Sequence, residues 1–152
     1  MNGEYPVEEL LRQWRLAGVG LRAGLPEREL SAFENRHGIS LPPALRTLWA
    51  RADGFREGEM DATRTRYWPL GEVVTAQDAL KSLNLNEEAH RGYFVFADFL
   101  LWSHGYAVRL TKHDGALSPV AIVGGAIPIV VAESVEEFLL SQVREGAKMI
   151  RP

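Results

Sequence analysis

The sequence predicts an α+β fold, with N-terminal helices followed by a mainly antiparallel sheet and a closing C-terminal helix. Apolar residues recur at helical spacing in the first third of the chain, and short β-branched and aromatic runs occupy residues 94–132. A helix start signal follows at Ser134. Helices and strands that are segregated along the chain are typical of the α+β class.

Length and composition are those of one ordinary globular domain. With 152 residues, 46% of them hydrophobic and 24% charged, we expect residues 1–152 to form a single domain with a sizeable core. The formal net charge of −3 gives no general attraction to phosphate backbones or anionic lipids. We therefore expect neither a nucleic-acid nor a membrane partner, and the oligomeric state stays open.

Residue usage also bears on compartment and chemistry. Cysteine is absent, which excludes disulfides, a thiolate zinc site and a cysteine nucleophile. The N-terminus carries Glu4, Glu8 and Glu9 where a secretory signal peptide would carry positive charge. The longest apolar runs, residues 94–102 and 126–132, fall well short of the ~20 residues that a membrane-spanning helix needs. We expect a cytoplasmic protein.

The first helix is predicted from a stripe of apolar residues between Pro6 and Gly18. The members of the stripe are Val7, Leu10, Leu11 and Trp14. A glycine-containing linker over residues 18–24 is expected to follow the helix.

Two further helices are predicted before residue 55. The second has Pro26 in its first turn and ends at Gly38, which suits a left-handed C-terminal position. The third begins at Pro42-Pro43 and is closed by Gly54. Its buried stripe is Leu41, Leu45, Leu48, Trp49 and Ala52.

Residues 55–66 are highly polar, and we interpret them as an exposed connection. Their charged side chains are balanced in sign and comprise Arg56, Glu57, Glu59, Asp61, Arg64 and Arg66. Two interpretations stay open. As a partner-recognition loop, these six residues would form complementary pairs with a specific protein, since loops on a rigid scaffold often carry binding. Alternatively, they form a solvated loop whose charges contribute little.

The sheet is expected to start at residues 67–70. A helix over 73–83 and a polar surface loop over 84–91 then follow. Residues 94–102 are apolar on both alternating sets, which predicts either one strand buried on both faces or two short strands joined at Asp98.

Turn signals separate the strands that are predicted for the rest of the sheet. Ser103-His104-Gly105 is expected to turn the chain into a strand over 106–111 that has one solvent-exposed face. His113-Asp114-Gly115 predicts a hairpin. Val120–Val123 and Ile129–Ala132 are expected to complete the sheet.

A capping box predicts the start of the last helix. Ser134 would accept a hydrogen bond from the N–H three residues on, while Glu137 reaches back to the N–H of Ser134. Gly146 is expected to end the helix. The buried stripe is Val135, Phe138, Leu139 and Val143.

Residues 33–55, together with this order of elements, resemble the conserved segment of the SMI1/KNR4 (SUKH) superfamily. The positions that carry the resemblance are Phe33, Glu34, Gly38, Leu41, Pro42, Leu45 and Gly54. It continues in Trp68-Pro69-Leu70-Gly71-Glu72, over residues 93–110, and in Ala132-Glu133-Ser134 and Glu137-Phe138-Leu139, so that it covers residues 25–145. Asp53-Gly54 departs from the Asn-Gly that is frequent in the family.

The resemblance implies an SMI1/KNR4-like fold and a protein partner. Many bacterial members are immunity proteins that neutralise toxins of polymorphic systems, whereas fungal members are scaffold and regulatory proteins. The leading expectation is a non-catalytic immunity protein that neutralises a toxin by direct binding. The alternative is a cytosolic scaffold or regulatory adaptor that binds an endogenous partner.

A small enzyme is the third hypothesis. Asp98 and His104 would pair as base and orienter, but no nucleophile motif accompanies them, and Asp98 is more simply a turn residue that accepts backbone N–H bonds. Residues 18–23 match a relaxed dinucleotide fingerprint, yet a helix precedes them where the motif requires a strand. The four histidines, His37, His90, His104 and His113, lack the spacing of a helical zinc site. We expect no enzyme activity, no cofactor and no metal.

Overall fold

The computed structural model describes residues 4–83, 85–112 and 118–150. Its helices are α1 (Glu4–Leu16), α2 (Glu27–His37), α3 (Pro43–Arg51), α4 (Ala76–Ala79), α5 (Glu87–His90) and α6 (Val135–Ile150), with a 3-10 turn at Leu70–Glu72. Its strands are β1 (Leu21–Ala23), β2 (Ala52–Phe55), β3 (Thr65–Tyr67), β4 (Val74–Thr75), β5 (Tyr93–Phe99), β6 (His104–Arg109), β7 (Val120–Val123) and β8 (Ile129–Ala132). This order of helices, antiparallel sheet and closing helix confirms the predicted α+β class.

The first helix forms as its apolar stripe predicts. Val7, Leu10, Leu11 and Trp14 are all buried, and α1 packs against α3 and α6. Trp14 also contacts two aromatic residues from separate strands, Phe55 in β2 and Tyr67 in β3.

Helices α2 and α3 also form, although their ends differ from prediction. Gly38 has a φ of 65° and occupies the predicted left-handed position after α2, while Pro26 precedes that helix. Gly54 does not close α3, which ends at Arg51. It lies in β2 with a φ of 74°, where an added Cβ would come within 2.4 Å of the Pro69 nitrogen. Position 54 therefore requires glycine, because any side chain there would collide with the backbone of Trp68 and Pro69.

A two-stranded sheet replaces part of the predicted linker over 18–24. Strand β1 pairs antiparallel with β2, with Leu21 opposite Phe55. Glycines on both sides of this short strand obscured it in the sequence, and its formation depends on a partner strand that lies far along the chain.

The main sheet has the strand order β3-β5-β6-β7-β8, and β4 also pairs with β5. Residues 93–99 form one strand that is buried at every position except Phe99, so Asp98 lies within a strand and not at a break. The turn that follows occupies residues 100–103, not 103–105, and His104 opens β6.

Strand β6 is buried on both faces, contrary to the prediction of one solvent-exposed face. Tyr106 packs against Phe138 of α6 on one face, and the ring of Trp102 covers Gly105 on the other. The predicted strands β7 and β8 are confirmed. The predicted hairpin at His113-Asp114-Gly115 lies outside the described residues.

The chain between the first strands and β5 is less helical than predicted. Residues 73–83 contain only the short helix α4, because Val74 and Thr75 pair with Val95 and Phe94 of β5 and thereby enter the sheet. The predicted surface loop over 84–91 contains α5, whose His90 is fully buried.

The closing helix starts as predicted and extends further. Ser134 Oγ accepts from the Glu137 N–H at 3.1 Å, and the Glu137 carboxylate accepts from the N–H of Glu133, one residue before the expected one. The helix continues past Gly146, where an added Cβ would come within 2.3 Å of Gln13 Oε1. Gly146 thus allows α1 to approach α6 closely and does not end the helix.

Candidate functional site

The polar connection over 55–66 is only partly exposed. Arg56, Glu57 and Arg64 are exposed, whereas Phe55 is buried and Thr65 belongs to β3. The six predicted binding residues therefore have different environments, and the expectation of a uniformly exposed connection is wrong.

Asp61 is a buried structural residue. Its Oδ2 accepts from Trp14 Nε1 at 3.0 Å, and its Oδ1 accepts from the backbone N–H groups of Thr63 and Thr65 at 2.9 and 3.1 Å. The carboxylate thus ties α1 to the start of β3. Since both oxygens are engaged inside the protein, Asp61 is not available on an exposed recognition surface.

Four of the other five predicted residues line one cleft of about 500 Å³. They are Glu57, Glu59, Arg64 and Arg66, and the wall is completed by Arg22, Gly58, Met60, Glu72, Asp98, Leu101 and Trp102. These eleven residues are called the cleft from here on. Arg56 lies outside it, is exposed, and donates from Nε to the carbonyl of Leu21 at 3.3 Å.

The floor of the cleft is organised around the buried carboxylate of Asp98. Its Oδ2 accepts from Trp68 Nε1 at 2.7 Å and from Arg66 Nε at 3.3 Å, and its Oδ1 accepts from the Trp102 N–H at 3.3 Å. Arg66 also contacts Glu72 at 3.4 Å, and its guanidinium lies over the Trp68 ring. A buried charge that is paired and hydrogen-bonded in this way holds its neighbours in one arrangement.

Backbone strain is concentrated at the mouth of the cleft. Leu100, Leu101 and Trp102 have φ values of 47°, 51° and 68°, and Arg64 has 67°; within the described ranges these are the non-glycine residues with positive φ. The Leu100 N–H donates to the Arg64 carbonyl at 2.8 Å, which joins the two strained segments. Left-handed backbone costs a non-glycine residue about 1–2 kcal/mol. Such strain is found preferentially at functional sites.

The strained turn presents two large apolar side chains. Leu101 is 80% exposed and Trp102 is 40% exposed. The Trp102 ring packs against Trp68 with ring centroids 5.5 Å apart. It also lies close to Gly105, where an added Cβ would be only 2.9 Å from the ring. Rigidly held, exposed apolar residues of this size are typical of protein-binding surfaces.

Charged groups of both signs surround this apolar pair. Some are held by the protein itself: Glu59 accepts from the Gly20 N–H, and Arg22 Nε donates to the Phe55 carbonyl at 3.3 Å. The side chains of Glu57 and Arg64, in contrast, make no hydrogen bond or ion pair with any residue that the structure describes. They are therefore available to pair with a partner.

Asp98 and His104 do not form the pair that the enzyme hypothesis requires. Asp98 is opposite Gly105 in the β5–β6 register, and His104 is opposite Phe99, so their side chains point to opposite faces of the sheet. His104 stacks on Phe99 and contacts Tyr106, and burial lowers the pKa of its imidazole. This geometry removes the structural support for a hydrolase built on Asp98 and His104.

The other candidate chemistries also lack the geometry that they need. Residues 18–23 follow α1 and run into β1, so the strand-then-helix arrangement of a dinucleotide site is not present there. Within residues 4–83, 85–112 and 118–150, no group of three or more histidine or acidic side chains is arranged to hold a metal ion. Among the described helices, none has the length and apolar character to cross a membrane.

Sequence reasoning missed the apolar part of the cleft. Leu101 and Trp102 belong to the run 94–102, for which the sequence predicts either one buried strand or two short strands joined at Asp98, because apolar residues usually indicate burial. The available signal was length, since the run exceeds the roughly five to six residues of an average strand. Arg22 carried no signal, because it is distant from the connection in sequence and approaches it only in the fold. Glu72 lies six residues after Arg66, but its contact with that arginine is visible only in the structure.

Comparison with known proteins identifies the family. A family model described as the SMI1 / KNR4 family (SUKH-1) matches residues 24–141, a range that contains every cleft residue except Arg22. Curated proteins give no match to the chain. The matched range includes the whole of the segment 33–55 and the Trp68–Glu72 stretch on which the resemblance was based. Because it covers more than half of the sequence, this protein belongs to the SMI1/KNR4 family (SUKH-1).

Proposed function

We propose that this chain is a non-catalytic protein-binding module that neutralises a polymorphic toxin by direct binding through the cleft. Family membership supports the protein partner. The proposed binding residues are Arg56, Glu57, Glu59, Arg64 and Arg66 from the predicted set, together with Leu101 and Trp102. Asp61 is assigned a structural role instead. One domain over residues 1–152, acting in the cytoplasm, is part of the same proposal.

The observation that carries this proposal is the coincidence of strain and apolar exposure at residues 100–102. Folding alone would favour Gly or Asn where φ is positive, and a solvated loop would favour polar side chains. Leu101 and Trp102 satisfy neither preference. A partner that covers them accounts for both departures, because the binding free energy then compensates for the local strain.

We assign different roles to the apolar and the charged residues. Leu101 and Trp102 lie where a partner would exclude water, and buried anchors of this kind typically contribute about 2 kcal/mol or more each to binding. Glu57 and Arg64 are exposed at the rim, where charges mainly affect the association rate and the choice of partner. Arg66, which is held by Asp98, supports the floor.

The test asks whether the protein protects cells against a toxin domain that a neighbouring gene would encode. Wild-type protein co-expressed with that toxin is expected to restore growth, and purified protein is expected to bind the toxin domain. Leu101→Asp should abolish both effects, because it places a charge in the apolar contact without disturbing the core. Leu16→Asp, a change at an exposed leucine of α1 outside the cleft, serves as the matched control and should protect like wild type.

Two results would contradict the proposal in different ways. Full protection by the Leu101→Asp variant would show that the toxin is bound elsewhere than at the cleft. Failure of the wild type to protect, combined with Leu101-dependent capture of a cellular protein, would instead identify an adaptor with an endogenous partner.

A charge exchange tests the role of the rim. Glu57→Arg combined with Arg64→Glu is expected to lower the association rate at least several-fold at low ionic strength, with a smaller effect on dissociation. The difference from wild type should shrink at high salt, because exposed charges are screened. Stopped-flow or surface plasmon resonance experiments measure the association and dissociation rate constants. A change in the association rate that does not depend on salt would contradict an electrostatic steering role.

A further inference from the structure

The outer edge of β8 is unpaired. The main sheet ends at β8, and in the described part of the chain no strand pairs with the side of β8 that faces away from β7. An unpaired edge presents a row of backbone N–H and C=O groups that another strand is able to satisfy. The natural occupant of this edge is therefore an extended segment of protein.

The side chains of β8 suit a strand in the interior of a sheet. Ile129, Val130 and Val131 are exposed by 61%, 53% and 45%, although the neighbouring strand β7 is almost completely buried. Consecutive strand residues point to opposite faces, so β8 exposes apolar surface on both sides of the sheet. Continuous aliphatic runs of this type are typical of strands that are covered on both faces.

The features that usually protect an edge strand are sparse here. Residues 126–132 contain no charged side chain, and the exposed Ile127 extends the apolar surface. Pro128 lies immediately before the strand, and the register with β7 shifts at Val131. These two features confine regular pairing to a short stretch around Val130, without making the edge polar.

We propose that β8 pairs antiparallel with β8 of a second copy of this chain, which joins two six-stranded sheets across a twofold axis. A twofold interface needs only one self-complementary surface. Antiparallel self-pairing places uncharged residues opposite uncharged residues, so no like charges meet within the paired stretch. It also places the exposed aliphatic side chains beside their own equivalents on each face of the sheet.

A second copy fits this edge better than an unrelated partner, because the occupant must be an extended segment that is aliphatic on both faces and free of charge. The chain itself supplies that segment. The cleft is built on β3 and β5, at the opposite end of the sheet from β8. Pairing through β8 would therefore leave both clefts of the dimer open, and this inference does not depend on the proposed function.

The paired stretch is short, so the dimer is expected to be weak. Interfaces below about 1,000 Å² are characteristic of transient association. Sedimentation experiments between about 10 µM and 1 mM should show reversible monomer–dimer exchange, with the dimer dominant only at the upper end. A wild-type protein that stays monomeric over this range would overturn the proposal.

Charge substitutions at Val130 provide the specific test. Val130→Lys and Val130→Glu should each be monomeric, because like charges would meet near the twofold axis. An equimolar mixture of the two variants should recover association, since opposite charges then face each other. Leu16→Lys, a change at an exposed site on α1, should dimerise like wild type. Dimerisation of either Val130 variant alone, or failure of the mixture to associate, would contradict self-pairing at β8.

Hydrogen exchange supplies a readout that does not depend on variants. Those amide protons of residues 129–131 that face away from β7 should become more protected as the wild-type concentration rises, because backbone carbonyls of the second copy accept their hydrogen bonds. Protection that does not change with concentration would count against pairing. Toxin binding by the Val130 variants should be unchanged, which separates this interface from the cleft.

Discussion

Asp98 shows how the environment of one side chain decides its role. In the sequence it is a candidate turn residue or a candidate catalytic base. In the structure its carboxylate accepts from Trp68, Arg66 and the Trp102 backbone, so it joins β3, β5 and the strained turn. The same chemistry that suits a carboxylate to catalysis, two strong acceptor oxygens, here holds the floor of the cleft through which we propose that binding occurs.

Removal of this carboxylate should destabilise the protein strongly. Asp98→Ala is expected to lower the free energy of unfolding by about 3 kcal/mol or more, because the buried indole N–H of Trp68 loses its acceptor and Arg66 loses its buried partner. Urea denaturation measures the change. Glu72→Gln, which removes the more exposed partner of Arg66, should cost less than about 1 kcal/mol. Equal losses in the two variants would contradict the assigned role of Asp98.

Leu101 is predicted to contribute to binding at the expense of stability. Leu101→Gly should raise the free energy of unfolding by up to about 1 kcal/mol, because relief of a positive φ outweighs the added flexibility of the unfolded chain. The same variant should bind the partner more weakly. Leu16→Gly, at an exposed helical position, should instead destabilise by about 0.5–1 kcal/mol. A destabilised Leu101→Gly variant would argue against strain at this turn.

At the scale of elements, the β5–β6 pair separates two functions. Alternation places Asp98 and Gly105 on the face that carries the cleft, while Phe99, His104 and Tyr106 face the side covered by α6. One pair of strands thus supports the cleft and the core together. It also explains why Asp98 and His104, which are close in sequence, do not act together.

The partly buried position of His104 predicts a dependence of stability on pH. Burial lowers the pKa of His104, and burial together with Arg36 lowers that of His37, so the unfolded chain binds protons that the folded protein does not. Stability is therefore complete above the ordinary histidine pKa of about 6.5 and decreases as the pH falls below it. Thermal unfolding at pH 7.5 and 5.5 should show a lower Tm at pH 5.5.

Variants assign this pH dependence to individual histidines. His104→Leu should reduce the difference in Tm between the two pH values, and His37→Gln should remove part of what remains. Glu88→Gln, a change at an exposed position of α5, should leave the difference intact. An unaltered pH dependence in both histidine variants would contradict the assignment.

At the scale of the whole molecule, α1 is part of the packed fold, although the range that matches the family model begins after this helix. The match covers residues 24–141, yet α1 supplies Trp14 to the core and packs on α3 and α6. The Trp14 indole donates to Asp61, which joins the N-terminal helix to the connection that leads into the sheet. The connection that bears the cleft is therefore positioned partly by α1.

Trp14→Phe tests this coupling. The variant keeps an aromatic ring against Phe55 and Tyr67 but leaves the buried Asp61 without one donor, so the free energy of unfolding should fall by about 1–3 kcal/mol. In a double-mutant cycle, Asp61→Asn should lose part of its own effect when Trp14 is already Phe. Strictly additive losses would show that the two side chains do not act together.

The parts of this protein that the sequence determined by itself are those that depend on local chemistry. The α1 stripe, the left-handed Gly38 and the Ser134 cap follow from side-chain spacing and backbone groups within a few residues, and they form as predicted. The family likewise follows from the motifs and their order along residues 25–145. In the cleft, the charged residues of the connection were predicted, because charge in a loop is visible in the sequence.

Only the tertiary structure decided the features that depend on contacts between distant residues. Gly54 and Gly146 were interpreted as helix stops, but the backbone of Trp68-Pro69 and the side chain of Gln13 show that both permit close packing. Residues 73–83 form only a short helix, because Val74 and Thr75 pair with β5. Exposure of Leu101 and Trp102 depends on a turn that is held by Arg64 and Asp98. Close approach between segments that are distant in sequence is a property of the packed chain, so no local pattern specifies it.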